Sequence, residues 1–150
     1  MNLSFEKIIV FAATGAYTGK SPVAPGTIGT LAGIPLIILA FFIPESFSGV
    51  FIAFFIIGSV YIAGKASEIL KDKDPKEVVI DEIAGYLVAL SGITLSIESL
   101  VMGFVLFRFF DILKPGPVGA AERNFSGGSG IVFDDIVAGI FANLILRIFF

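Results

Sequence analysis

Apolar residues in this chain come in long runs separated by short polar connections, which fits neither amphipathic surface helices nor alternating strands. Four runs, at residues 28–43, 47–64, 83–97 and 131–150, would extend roughly 22 to 30 Å as helices, which is enough or nearly enough to cross a bilayer. Pro35 interrupts the first. A fifth run, 100–113, reaches only about 21 Å and already contains Arg108 and Asp111. The shorter runs must borrow flanking polar residues, so Asp81 and Glu82 are expected on helix turns near the membrane surface. Residues 2–14 are too short to cross. With Leu3, Ile8, Val10 and Phe11 beside Glu6 and Lys7, they read as an interfacial or re-entrant helix. The pattern therefore predicts an all-α fold: a polytopic membrane helix bundle of about five spans plus an N-terminal interfacial helix, with residues 1–150 as a single membrane-embedded domain. The Gly/Pro-rich stretches 15–33 and 114–130 are the expected long non-helical connections.

Charge placement orients this bundle. The tight connections at 44–47 and 96–99 contain Glu45 and Glu98 and no Lys or Arg, whereas the others hold Lys20, Lys65, Lys71, Lys73, Lys76, Lys114 and Arg123. By the positive-inside rule the basic connections face the cytoplasm, and five crossings leave the end of the last span outside. Arg147, near the outer end of that span, is expected to snorkel.

Composition agrees with a membrane setting and excludes much chemistry. Hydrophobic residues make up 56% of the 150 positions and charged ones 15%, against about 25% charged in an average soluble domain. The mean hydropathy is +0.97. A net charge of −3 without a basic stripe argues against nucleic acid as a partner. With no Cys and no His there is no disulfide, no thiolate nucleophile, no Ser-His-Asp triad and no zinc site of the usual kind. Residues 1–14 lack the core and small-residue site of a cleavable signal peptide.

Three local motifs carry less than their appearance suggests. Gly15 to Ser21 resembles a phosphate-binding P-loop, but its first Gly is one position late and Pro22 and Pro25 stand where the helix would begin. Asp72, Lys73 and Asp74 resemble a two-aspartate phosphatase signature, yet they follow a membrane helix and not a strand, so they read as a solvated charged loop. Gly29 and Gly33 form a GxxxG suited to close helix packing.

Ionisable residues at membrane depth are costly, at roughly 2.5–3.5 kcal/mol each on insertion scales, and tend to pair or to function. Here they gather at one end of three spans. Asp81 and Glu82 open one helix and Asp134 and Asp135 open another, where the helix dipole favours negative charge. Arg108, Asp111 and Lys114 recur at i, i+3 and i+6 on one helix face, just before Pro115. Mutual repulsion opposes the joint ionisation of five carboxylates unless a cation is present. Mg²⁺, held by carboxylate oxygens and water, is the natural choice without His or Cys, and Arg108 and Lys114 suit a phosphate. A salt-bridged bundle, with Arg108–Asp111 and Lys114–Glu82 as helix contacts, is the structural alternative.

These residues resemble those of the phosphatidylglycerophosphatase A family of bacterial membrane lipid phosphatases. Four blocks carry the resemblance from about Gly15 to Gly139: Ser21-Pro-x-x-Pro-Gly26-Thr27-x-Gly29-Thr30-Leu31, Val79-Ile-Asp81-Glu82-x-x-Gly85, Phe107-Arg108-x-x-Asp111-x-x-Lys114-Pro115-x-Pro117, and Gly127-Gly128-x-Gly130-Ile131-x-x-Asp134-Asp135-x-x-Ala138-Gly139. The resemblance implies Mg²⁺-dependent hydrolysis of the lipid phosphomonoester phosphatidylglycerol phosphate to phosphatidylglycerol and inorganic phosphate. It places the active site at the cytoplasmic face of a multi-pass protein of the bacterial cytoplasmic (inner) membrane. Asp81, Glu82, Asp111, Asp134 and Asp135 are then the expected catalytic and metal residues. Arg108, Lys114, Gly26, Thr27 and Thr30 are the expected phosphate donors. The attacking group is either water or an aspartate. A small Mg²⁺ channel or transporter is the competing reading, opposed by the clustering of charge at one end.

Overall fold

The computed structural model describes residues 3–150. Asn2, with which the expected interfacial helix begins, lies outside them. The described chain is helical, in the order α1 (Leu3–Ala13), a 3₁₀ turn (Thr18–Lys20), α2 (Pro25–Ala32), α3 (Ile34–Ala40), α4 (Glu45–Leu70), α5 (Ile80–Leu90), α6 (Ile97–Leu113), α7 (Pro117–Asn124) and α8 (Gly127–Phe149).

Two expectations need correction. The stretches 15–33 and 114–130 are not long irregular connections, because they contain the 3₁₀ turn, α2, α7 and the first turn of α8. Pro25 and Pro117 sit at the first helical positions, where a fixed φ and a missing N–H cost nothing, so these prolines start helices instead of breaking them. The run 83–97 is also not one helix. α5 stops at Leu90 after 11 residues, about 16 Å of rise, and Gly92 follows at φ +67°. The first run divides at Gly33, two residues before Pro35.

Among the described helices α6 carries a side-chain cap. Ser96 and Ser99 make a reciprocal capping box at the start of α6: the Ser99 amide donates to Ser96 Oγ at 3.1 Å and the Ser96 amide to Ser99 Oγ at 2.9 Å. Glu45 stands in the first turn of α4, and Lys71 closes that helix in the left-handed conformation. By length and composition α4, at 26 residues, is the one helix among those described that meets both requirements for crossing a membrane.

α5 is the centre of the molecule. Every residue in it but Glu82 is buried, and α8, α4, α6 and α2 pack around it. Tyr86, Leu87, Leu90, Phe107, Ala138, Ala142 and Leu146 form the main apolar cluster, and the Tyr86 hydroxyl donates to the Leu100 carbonyl at 2.7 Å. Small residues allow the closest crossing. A Cβ on Gly139 would collide with the Gly85 carbonyl, and one on Gly85 with Phe107 and the Asp135 carbonyl. This contact draws α8, with Asp134 and Asp135, against the acidic start of α5. Gly29 and Gly33 do the same for α2 against Val79 and Ile83.

The far end of α5 is tied by α8. Asn143 Nδ2 donates to the Ala89 and Ser91 carbonyls at 2.9 and 2.8 Å, satisfying acceptors that a helix end leaves open. Arg147 Nε donates to Asn143 Oδ1 at 2.8 Å, and its Nη2 reaches Ser91 O at 3.3 Å. Arg147, expected only to snorkel, is thus also a clamp on the central helix. Outward, α4 exposes Phe47, Val50, Phe54, Ile57 and Tyr61, and α6 exposes Ile97, Val101, Val105, Phe109 and Ile112. Their spacing of three and four residues makes continuous apolar stripes on the outer surface.

Candidate active site

Two helix ends and the early turns of a third helix meet around a cavity of about 440 Å³. The first turn of α5 brings Asp81 and Glu82, and the last turns of α6 bring Arg108 and Asp111. α8 brings Asp134 and Asp135 from two turns inside it, not from its first turn as expected, because the helix already begins at Gly127. α2 enters from the side, with Gly26 and Thr27 in its first turn and on the cavity wall. A Cβ on Gly26 would run into Glu82 Oε1 and crowd the Arg108 guanidinium, so glycine lets this backbone come down onto the charged groups. Ala24 delivers the chain into α2 at φ +44°.

The five expected carboxylates are brought together, but in two kinds of environment. Asp81, Glu82 and Asp135 form a compact triad in which one oxygen from each lies within 4.8 Å of the others. Asp81 Oδ1, Glu82 Oε2 and Asp135 Oδ2 are buried without a hydrogen-bond partner. Unpaired buried carboxylate oxygens are strongly unfavourable, so their convergence fits a group that supplies positive charge. An all-oxygen set of this kind suits a hard divalent cation such as Mg²⁺.

Asp111 and Asp134 instead hold cations. Arg108 Nη1 donates to Asp111 at 2.5 Å and lies 3.8 Å from Glu82 Oε1, while its buried Nε has no partner. Lys114 donates to Asp134 Oδ2 at 2.8 Å and to Glu122 Oε1 at 2.7 Å. Helical spacing places Lys114 on the face of Arg108 and Asp111. In the structure α6 ends at Leu113, and Lys114 adopts φ +45° and joins α7 to α8. The Lys114–Glu82 contact of the salt-bridged alternative does not form, and these two pairs take its place. Burial alone would lower the Lys114 pKa, but its bonds to Asp134 and Glu122 outweigh that and raise it, so the ammonium is charged at neutral pH.

Thr30 does not join the cavity wall. It is fully buried, and its hydroxyl donates to the Gly26 carbonyl at 2.7 Å, one turn back along α2. Three residues that the sequence reading left aside do join it. Glu122, on α7, completes the Lys114 pair, and Asp74 and Lys76 reach the cavity from the loop before α5. No periodicity marks Glu122, and Asp74 and Lys76 belong to a stretch that reads as plain solvated charge. Beyond Gly85 the polar zone ends against packed Tyr86, Phe107 and Leu90.

The sequence model of phosphatidylglycerophosphatase A matches residues 11–150. The chain is 36% identical over 135 residues to phosphatidylglycerophosphatase A of Escherichia coli strain K12, a match covering 89% of this chain and 78% of that protein. It is 35% identical over 146 residues to phosphatidylglycerophosphatase A of Haemophilus influenzae, covering 96% and 90%. A putative phosphatidylinositol-3-phosphatase of Bacteroides thetaiotaomicron is 34% identical over 147 residues, covering 93% and 91%. No solved structure matches the chain significantly.

Proposed function

The chain belongs to the phosphatidylglycerophosphatase A family, and we propose that it is a Mg²⁺-dependent phosphatase that hydrolyses phosphatidylglycerol phosphate to phosphatidylglycerol and inorganic phosphate. The observation that carries this reading is the triad of Asp81, Glu82 and Asp135, with its unpaired buried oxygens, beside the partly unpaired guanidinium of Arg108.

A phosphomonoester brings about two negative charges, and its transition state spreads charge over the phosphoryl oxygens. Catalysis is therefore mostly positioning and charge stabilisation. Mg²⁺ held by Asp81, Glu82 and Asp135 would neutralise part of that charge when bound. Arg108 turns its remaining donors to the phosphate, and Asp111 fixes the guanidinium plane. The first turn of α2, at Gly26 and Thr27, offers further donors. Lys114 holds Asp134 by one oxygen and leaves Oδ1 free. In this reading water attacks phosphorus and passes its proton to Asp134 as the bond from phosphorus to the glycerol oxygen breaks, and that oxygen leaves with the proton returned by Asp134.

Phosphate release from the lipid in detergent tests the reading. Turnover is expected to disappear with a chelator and to return with Mg²⁺. Chelator-insensitive turnover would remove the metal from the scheme, and a complete lack of release would remove the substrate.

We further propose five crossings in the cytoplasmic membrane of a bacterium, with α1 at the inner surface, the site facing the cytoplasm and the exposed stripes of α4 and α6 facing lipid. Support comes from the absence of Lys and Arg from 44–47 and 96–99. Cysteines introduced singly at Lys73 and Arg123 are expected to react with an impermeant thiol reagent only when the cytoplasmic side is opened. Reaction of either one in sealed cells contradicts this orientation.

A further inference from the structure

Seven side chains lining the cavity are acidic and three are basic, so the protein alone presents net negative charge to its substrate. Two of the bases are already engaged, Arg108 with Asp111 and Glu82, and Lys114 with Asp134 and Glu122. The third, Lys76, has no carboxylate partner among the described residues. It stands on a turn closed by the Val78 amide donating to the Pro75 carbonyl at 2.9 Å. Pro75 and Val78 are buried, and the Val79 amide is bonded to the Ala13 carbonyl at 2.9 Å, so the turn is anchored while Lys76 stays exposed at the rim.

We infer that Lys76 is a specificity-determining residue, which binds the second phosphate of the substrate, the phosphodiester that joins the glycerol head group to the lipid. The inference rests on the lipid phosphatase reading above. In that reading the terminal phosphomonoester lies deep, against Arg108 and the triad. The phosphodiester, still attached to the membrane-held lipid, must then sit nearer the rim. A volume of about 440 Å³ suits a whole phosphoglycerol phosphate head group better than a lone phosphate. An ammonium on an anchored turn provides a point charge for a singly charged diester, with no bidentate geometry required.

The test compares Lys76→Gln, Lys76→Arg and Lys73→Gln on phosphatidylglycerol phosphate in mixed micelles of a neutral detergent. Lys73 lies three residues away on the same loop and outside the cavity, so its loss changes net charge equally. Lys76→Gln is expected to raise KM about 5- to 10-fold with kcat nearly unchanged, as for a partly exposed charged hydrogen bond used equally in ground and transition states. Lys76→Arg should restore KM, and Lys73→Gln should leave it unaltered. An equal rise for both Gln variants, an unchanged KM in Lys76→Gln, or a fall in kcat alone overturns the inference. Absence of phosphate release by the unaltered protein overturns instead the reading on which it rests.

Discussion

Asp135→Asn is expected to cut phosphate release by roughly 100- to 1,000-fold, the scale seen when one preorganised charge-stabilising group is removed. The amide keeps the size of the side chain and loses its charge, and Asp135 is only 3% exposed, so packing changes little. The same substitution should not lower the thermal stability of the metal-free protein and is expected to raise it. Asp135 Oδ2, Asp81 Oδ1 and Glu82 Oε2 are buried together without partners, and removing one charge relieves that crowding. Activity and unfolding temperature, measured on one detergent preparation with and without Mg²⁺, therefore move in opposite directions. The added stabilisation by Mg²⁺ should also shrink, because the ion binds the folded state less well. Near-normal turnover in Asp135→Asn would show that the triad is not the charge-compensating centre.

Arg108→Lys carries the second large effect, a loss of about 30- to 1,000-fold, or roughly 2–4 kcal/mol of transition-state stabilisation. Lysine keeps the charge and the contact with Asp111 but lacks the planar fork. In the native chain Nη1 engages Asp111 while the buried Nε has no partner. A guanidinium held by one edge with a donor still free is arranged to grip something else. The loss should appear equally in kcat and kcat/KM, since the phosphoryl charge it meets is greatest at the transition state. If Arg108 serves only to pair with Asp111, the Lys variant should instead keep its turnover and melt at a lower temperature.

The candidate site was legible wherever its geometry is local. Carboxylates in a first helical turn, as at Asp81 and Glu82, and an Arg three residues before an Asp, as at Arg108 and Asp111, declare their positions through helical arithmetic alone. Asp134 and Asp135, by contrast, sit two turns inside α8 because that helix already starts at Gly127. The division of labour among them is tertiary, and sequence periodicity does not encode it. Asp134 is claimed by Lys114 across 20 residues and Asp135 is not, because the left-handed turn at Lys114 points that side chain at α8. Glu122 and Lys76 were hidden for a similar reason, since the segments that present them have no repeating pattern. Proline misled in one specific way. At Pro25 and Pro117 the residue that ends helices begins them, and only the backbone on either side distinguishes the two uses. The shortness of α5 was hidden too, because apolar residues continue past Leu90 and the helix ends where Asn143 and Arg147 receive its carbonyls.

That last contact bears on how the protein is made. α5 leaves the ribosome well before α8, and at about 16 Å it is too short to span the hydrocarbon layer by itself. Its terminal carbonyls, at Ala89 and Ser91, find their donors only after residues 143 and 147 have been synthesised. A backbone group left unanswered within lipid is costly, so on the five-crossing reading the nascent α5 has no stable seat until the last helix arrives. The same arrival brings Asp134 and Asp135 to the acidic start of α5. On that reading, assembly of the bundle and completion of the proposed hydrolytic centre are one event, and a chain stalled before residue 143 is expected to release no phosphate.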